Sequence, residues 1–230
     1  LADTAVMHLG ATAFSVYNSS SAEQAQHVFR NAGNRVVVTE RQFLPRVLES
    51  RTPEIEHIVL VDGAEAGTMT LQDLARLGAP GFDFDGAWRV VLPDADATLI
   101  YTSGTTGPSK AVQLTHGSVL FQTRGVAAIL GLQADGRSIS YLPSAHVGDR
   151  CLTHYGGSLC FGNSVTSIPD HRQVGLALVE VRPTVFGGVP RVWEKLKAGL
   201  EAAGVTDPAK LPEQVKAAVR AKSGLDQTGW

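Results

Sequence analysis

Residues 101–110 read Tyr-Thr-Ser-Gly-Thr-Thr-Gly-Pro-Ser-Lys, and the apolar run Ala97–Thr102 that leads into them suits a buried strand. Beyond Lys110, Val112 and Leu114 alternate with Gln113 and Thr115, the period of a second strand. The stretch therefore predicts a hairpin whose two strands are joined by a glycine-rich loop, with a helix starting only near His116. That order is restrictive, because no helix dipole can sit directly on a ligand held by the loop. What remains is a set of main-chain N–H groups left uncovered around Gly104 and Gly107, the hydroxyls of Ser103, Thr105 and Thr106, and the mobile charge of Lys110. Such a set suits a polyphosphate. It does not have the spacing of the common G-x-x-x-x-G-K-[ST] loop, since Gly104 and Gly107 are too close and Ala111 follows Lys110.

The rest of the chain alternates short strands with helices. Ser20 and Glu23 read as a capping box for a helix with Ala22, Ala25, Val28, Phe29 and Ala32 on one face, ended by Gly33. Val36–Thr39 is a strand, Gln42–Glu49 a helix, His57–Val61 a strand closed by Asp62-Gly63, and Leu71–Leu77 a short helix. A linker rich in Gly, Pro and Asp follows at Gly78–Ala87. After the hairpin, Val119, Leu120, Thr123, Val126, Ala127 and Leu130 form a helical stripe. Strands are expected at Ser138–Leu142, Val165–Ile168 and Thr184–Phe186, and helices at Arg150–Leu159, around Val174–Val181, at Arg191–Ala203 and at Glu213–Ala221. The pattern predicts an α/β fold with mostly parallel sheets flanked by helices.

Bulk properties exclude several classes. A net charge of −2 leaves no basic footprint for nucleic acid, so none is expected as a partner. Cys151 and Cys160 form no C-x-x-C pair, which suits a reducing cytoplasm. Together with His154 they match no standard zinc spacing. No apolar stretch approaches the roughly 18 residues that suggest a membrane span. Leu1 stands where an initiator methionine would, and the chain stops at Gly229-Trp230 without a polar tail. A piece of a longer polypeptide is expected, with a processed mature protein as the alternative.

The loop T-S-G-T-T-G-P-S-K resembles the phosphate-loop signature of the adenylate-forming (AMP-binding) superfamily, whose usual form is T-S-G-T-T-G-x-P-K-G; Ser109 and Ala111 depart from it. Ser140–Arg150, S-Y-L-P-S-A-H-V-G-D-R, is similar to the S-Y-L-P-L-A-H-x-x-E-R segment of long-chain fatty acyl-CoA synthetases, with Asp149 replacing glutamate. Arg182–Lys195 is similar to that branch's R-P-T-x-F-x-x-V-P-R-V-W-E-K run.

The resemblance implies that residues 1–230 are an incomplete N-terminal AMP-binding domain without the C-terminal catalytic-lysine domain. It implies a fatty acid, ATP and coenzyme A as substrates and Mg2+ as the metal. By the same resemblance Thr102, Ser103, Gly104, Thr105, Thr106, Gly107 and Lys110 hold the β- and γ-phosphates, Thr105 contacts the magnesium ion, and His146 has a catalytic role. Val189-Pro190-Arg191 would line the acyl side. The family's adenine loop and ribose-binding aspartate lie beyond Trp230, so the chain alone is expected not to complete thioester formation. The alternative is a non-catalytic remnant that binds nucleotide or acyl chains weakly. Peripheral membrane association is left open.

Overall fold

In the computed structural model, which describes residues 1–102, 107–132, 134–205, 207 and 211–228, the predicted alternation of helix and strand is present from the first residues. Helix α1 (Ala2–His8) is followed by α2 (Ala22–Ala32). The capping box of α2 is built by Ser21 and Gln24 instead of Ser20 and Glu23. The run Ser19-Ser20-Ser21-Ala22-Glu23-Gln24 offers two equivalent registers. The later one is adopted, Ala25, Val28 and Phe29 are buried, and Gly33 ends the helix at φ +64°.

Strand β1 (Val36–Thr39) leads through a 3-10 turn at Arg41–Phe43 into α3 (Leu44–Glu49), so the helix expected from Gln42 starts tighter and later. Strands β2 (His57–Leu60) and β3 (Met69–Thr70) complete a parallel sheet in the order β1-β2-β3. Parallel strands are covered on both faces, which is why Ile58, Val59 and Leu60 are all buried. Ala25, Phe29, Leu44, Val47, Ile55, Ile58 and Leu60 pack as one core. After α4 (Leu71–Arg76), the expected linker contains a helix of its own, α5 (Phe84–Arg89). Asp83 makes it possible by accepting a hydrogen bond from the Gly86 N–H at 2.8 Å, an N-cap inside a stretch that otherwise reads as breakers.

Strand β4 (Asp96–Thr102) pairs antiparallel with β5 (Lys110–Thr115), and α6 (His116–Leu130) follows directly. Next come β6 (Arg137–Ser140), a π-helix at Gly148–Cys160, and β7 (Ser164–Ser167), which is parallel to β6. The helix expected at Arg150–Leu159 is thus present but wound more widely. Helices α7 (Val174–Val181), α8 (Pro190–Ala202) and α9 (Glu213–Lys222) end the described elements. Among the described residues Thr184–Phe186 forms no strand. Thr184 and Val185 both donate to the Arg137 carbonyl, at 2.9 and 3.3 Å, which ties the segment down at one point without a ladder. Ile139, Ile168, Val174 and Leu178 form a core here, joined by Tyr141, Phe186, Val192, Leu196 and Leu225.

The chain divides into two compact units, Leu1–Ser118 and Val119–Trp230. Among the described residues no helix is long and apolar enough to cross a membrane.

Candidate functional site

The loop is held by the strands on either side of it. Thr102, the last residue of β4, pairs with Lys110, the first of β5, so the ladder closes the base of the loop. β4 is anchored from both faces. Ala97, Thr98, Ile100 and Tyr101 are buried, the Thr98 hydroxyl donates to the Ala13 carbonyl at 2.7 Å, and the Tyr101 hydroxyl donates to Asn31 at 2.8 Å. Ser103, Gly104, Thr105 and Thr106, the metal-contact candidate included, lie outside the described residues.

Gly107 has φ +107°, which a side chain would strain, and open space where a Cβ would project. Thr102 and Lys110 are exposed, and Lys110 has no ion-pair partner among the described residues. An uncompensated cation at the foot of an open glycine turn can receive an anion without first breaking a salt bridge.

One of the two departures from the usual loop, Ala111, has a local account. Ala111 sits in the β4–β5 ladder opposite Tyr101, and it is not among the residues with positive φ, so this position does not require glycine. The carbonyl of Ser109 accepts a 2.9 Å hydrogen bond from the ring Nε2 of His27, on α2. Sequence reasoning missed His27, and no local signal could have found it across 82 positions.

In the second unit, His146 is exposed. Its Nδ1 accepts the Gly148 N–H at 3.0 Å, so in the neutral ring the proton sits on Nε2. Asp149 and Arg150 are buried, only 4% and 2% exposed. Asp149 accepts from the hydroxyls of Ser140 at 2.8 Å and Ser144 at 3.3 Å, and the Arg150 guanidinium lies 5.3 Å from the Tyr155 ring centre. A buried charge needs such partners, and here they lock the 140–150 segment.

The 182–195 segment begins at Arg182, whose φ of +47° is rare for a side-chain-bearing residue. Two contacts over-determine it. Arg137 donates to the Arg182 carbonyl at 2.8 Å, and the Arg182 guanidinium pairs with Asp226, whose carboxyl is thereby held down at about 2.

Burial raises the thiol of Cys151, which keeps it protonated, while Cys160 is exposed and its thiol is raised by partial desolvation. Among the described residues no cluster of His, Cys, Asp or Glu is placed to hold a metal ion. A pocket of about 390 Å³ lies in the first unit between residues 14–18 and β1, and none of the predicted site residues lines it.

The family profile described as AMP-binding enzyme matches residues 1–227. A candidate fatty-acid–CoA ligase of Mycobacterium tuberculosis, fadD11, is 49% identical over 136 residues, covering 59% of this chain and 24% of that protein. The long-chain-fatty-acid–CoA ligase ACSBG2 of Xenopus laevis is 32% identical over 89% of this chain and 30% of its own length. Among solved structures, a long-chain-fatty-acid-CoA ligase (FadD1) from Archaeoglobus fulgidus superposes with a TM-score of 0.71 over 87% of this chain and 39% of that one, at 21% identity. That likeness speaks to the fold. The chain spans a quarter to a third of the length of the curated relatives it matches.

Proposed function

We propose, from the premise that the chain belongs to the AMP-binding enzyme family, that it supplies the polyphosphate grip and part of the acyl side of an AMP-forming long-chain fatty acid–CoA ligase. The observation that carries this reading is the hairpin base. Lys110 and Thr102 are paired and exposed at the base of the hairpin, at the position the loop signature requires, and no described residue beyond its chain neighbours lies within 4 Å of where a Gly107 Cβ would project. A carboxylate is a poor acyl donor because its leaving group is oxide. Attack on the α-phosphate of ATP gives an acyl-adenylate and pyrophosphate, and the coenzyme A thiol then displaces AMP to form the thioester.

In that sequence the work of this chain is positioning and charge neutralisation. Residues 102–107 and Lys110 hold the departing pyrophosphate. Magnesium, when bound, neutralises charge on the phosphate oxygens, and the chain's contribution to it is the Thr105 hydroxyl. His146, with Nδ1 occupied by the Gly148 N–H, presents Nε2 to the acyl and thiol side. Residues 1–230 are read as part of the N-terminal domain of the enzyme. The reading carries a cytoplasmic location, with peripheral contact where the fatty acid partitions into a membrane.

The test is palmitate-dependent exchange of pyrophosphate into ATP by the protein that carries this segment. The expected result is exchange that requires palmitate and is lost in Lys110→Ala. Exchange that ignores Lys110, or ATP turnover indifferent to any fatty acid, overturns the reading.

A further inference from the structure

Two adjacent glycines, Gly187 and Gly188, precede Val189 and the first turn of α8. Fixing consecutive glycines costs more backbone entropy than fixing any other pair, and Val189 as N-cap has no side-chain oxygen to hold the helix start. Something else must order this segment, and two aromatic side chains do. The Tyr141 hydroxyl donates to the Gly187 carbonyl at 3.1 Å and accepts the Val189 N–H at 3.3 Å. The Trp193 indole N–H donates to the Gly188 carbonyl at 2.9 Å. Phe186 lies between the two rings, stacked on Tyr141 at 5.9 Å and edge-on to Trp193 at 5.5 Å. A Cβ on Gly188 would lie 2.7 Å from the Trp193 ring nitrogen, so the clasp also requires glycine there.

Tyr141 belongs to the 140–150 motif and the bonds it makes belong to the 182–195 motif, 46 and 48 positions away. Its own backbone is fixed next to Ser140, which the buried Asp149 carboxylate holds. The position of the loop is thus passed from Asp149 through Ser140 and Tyr141 to Gly187–Val189.

The geometry points to Tyr141 as a positioning residue for the acyl-binding side: its hydroxyl holds Gly187–Val189 where Val189-Pro190-Arg191 meet the fatty chain. This rests on the ligase reading above, which places the fatty acid at that segment. It predicts a selective defect. Loss of the hydroxyl loosens the loop and weakens fatty-acid binding, while the nucleotide grip in the other unit is untouched.

The experiment is Tyr141→Phe, which keeps the stack on Phe186 and removes both hydrogen bonds, with Trp193→Phe as an independent variant that releases the Gly188 carbonyl. Amide hydrogen exchange across residues 187–191 is measured beside equilibrium dialysis of radiolabelled palmitate and titration with Mg-ATP. The expected result in Tyr141→Phe is exchange faster by about tenfold, palmitate affinity lower by roughly fivefold and Mg-ATP affinity within about twofold of the parent. Unchanged exchange overturns the clasp. Faster exchange with unchanged palmitate affinity overturns the positioning role and leaves the ligase reading standing. A parent protein that binds Mg-ATP but no palmitate overturns the ligase reading, and this inference with it.

Discussion

The glycine-loop hairpin of the first unit and the paired motifs of the second unit are held by different means. In the hairpin the backbone does the holding: β4 and β5 form a ladder from Asp96↔Thr115 to Thr102↔Lys110, and buried side chains anchor β4 on both faces. In the second unit, side chains from distant positions do it. Asp149 grips Ser140 and Ser144, Tyr141 grips Gly187 and Val189, and Asp226 grips Arg182. A ladder tolerates a range of side chains, so Ala111 stands where glycine is usual without needing a left-handed backbone. A network of polar side-chain contacts has less tolerance, because one deletion strands its partners.

Substitution makes the contrast measurable. Asp149→Ala removes a buried carboxylate and the acceptor of the Ser140 and Ser144 hydroxyls, and should cost about 3 kcal/mol by urea denaturation; a loss below about 1 kcal/mol would break the comparison. Ala111→Gly, which restores the usual loop residue, should lower stability by only about 0.5–1 kcal/mol, since glycine weakens a strand that needs no left-handed residue; a gain in stability would contradict the ladder account.

Acid separates the two units more gently. His116 is half-buried and its ring is pushed below the ordinary 6.5 by burial, and Nε2 lacks a hydrogen-bond partner among the described residues. The folded state therefore binds fewer protons than the unfolded one, and stability falls as the pH drops below about 6.5. His116→Phe should flatten that part of a Tm–pH profile. Asp226 is depressed from 3.8 to about 2, so its contribution is present above 3.8 and fades only as the pH falls toward 2. Asp226→Asn should alter the profile at neutral pH and leave the slope near pH 6 intact.

How much was legible in the sequence follows the same division. The two strands of the hairpin and the helix start at His116 could be read from period and glycine placement, because a ladder between neighbouring strands is local. The α/β alternation was readable for the same reason. What escaped reading depends on contacts between distant residues. His27 reaches the Ser109 carbonyl from another element, and Thr184–Phe186 has strand-like residues but only the Arg137 carbonyl to bond. The burial of Asp149 and Arg150 beside Ser140, Ser144 and Tyr155 has no local signature. Helix α5 was hidden because Gly86 reads as a breaker until Asp83 is seen to cap it.

The central claim, that this hairpin grips the phosphates of ATP, is tested most directly by calorimetric titration of the protein and its Lys110→Ala variant with Mg-ATP. Lys110 is exposed and outside every core, so the variant should keep its melting temperature. The account predicts measurable Mg-ATP binding that Lys110→Ala weakens by about tenfold, roughly the worth of one charge-assisted phosphate contact. Equal affinities in the two proteins, or no binding in either, would contradict it.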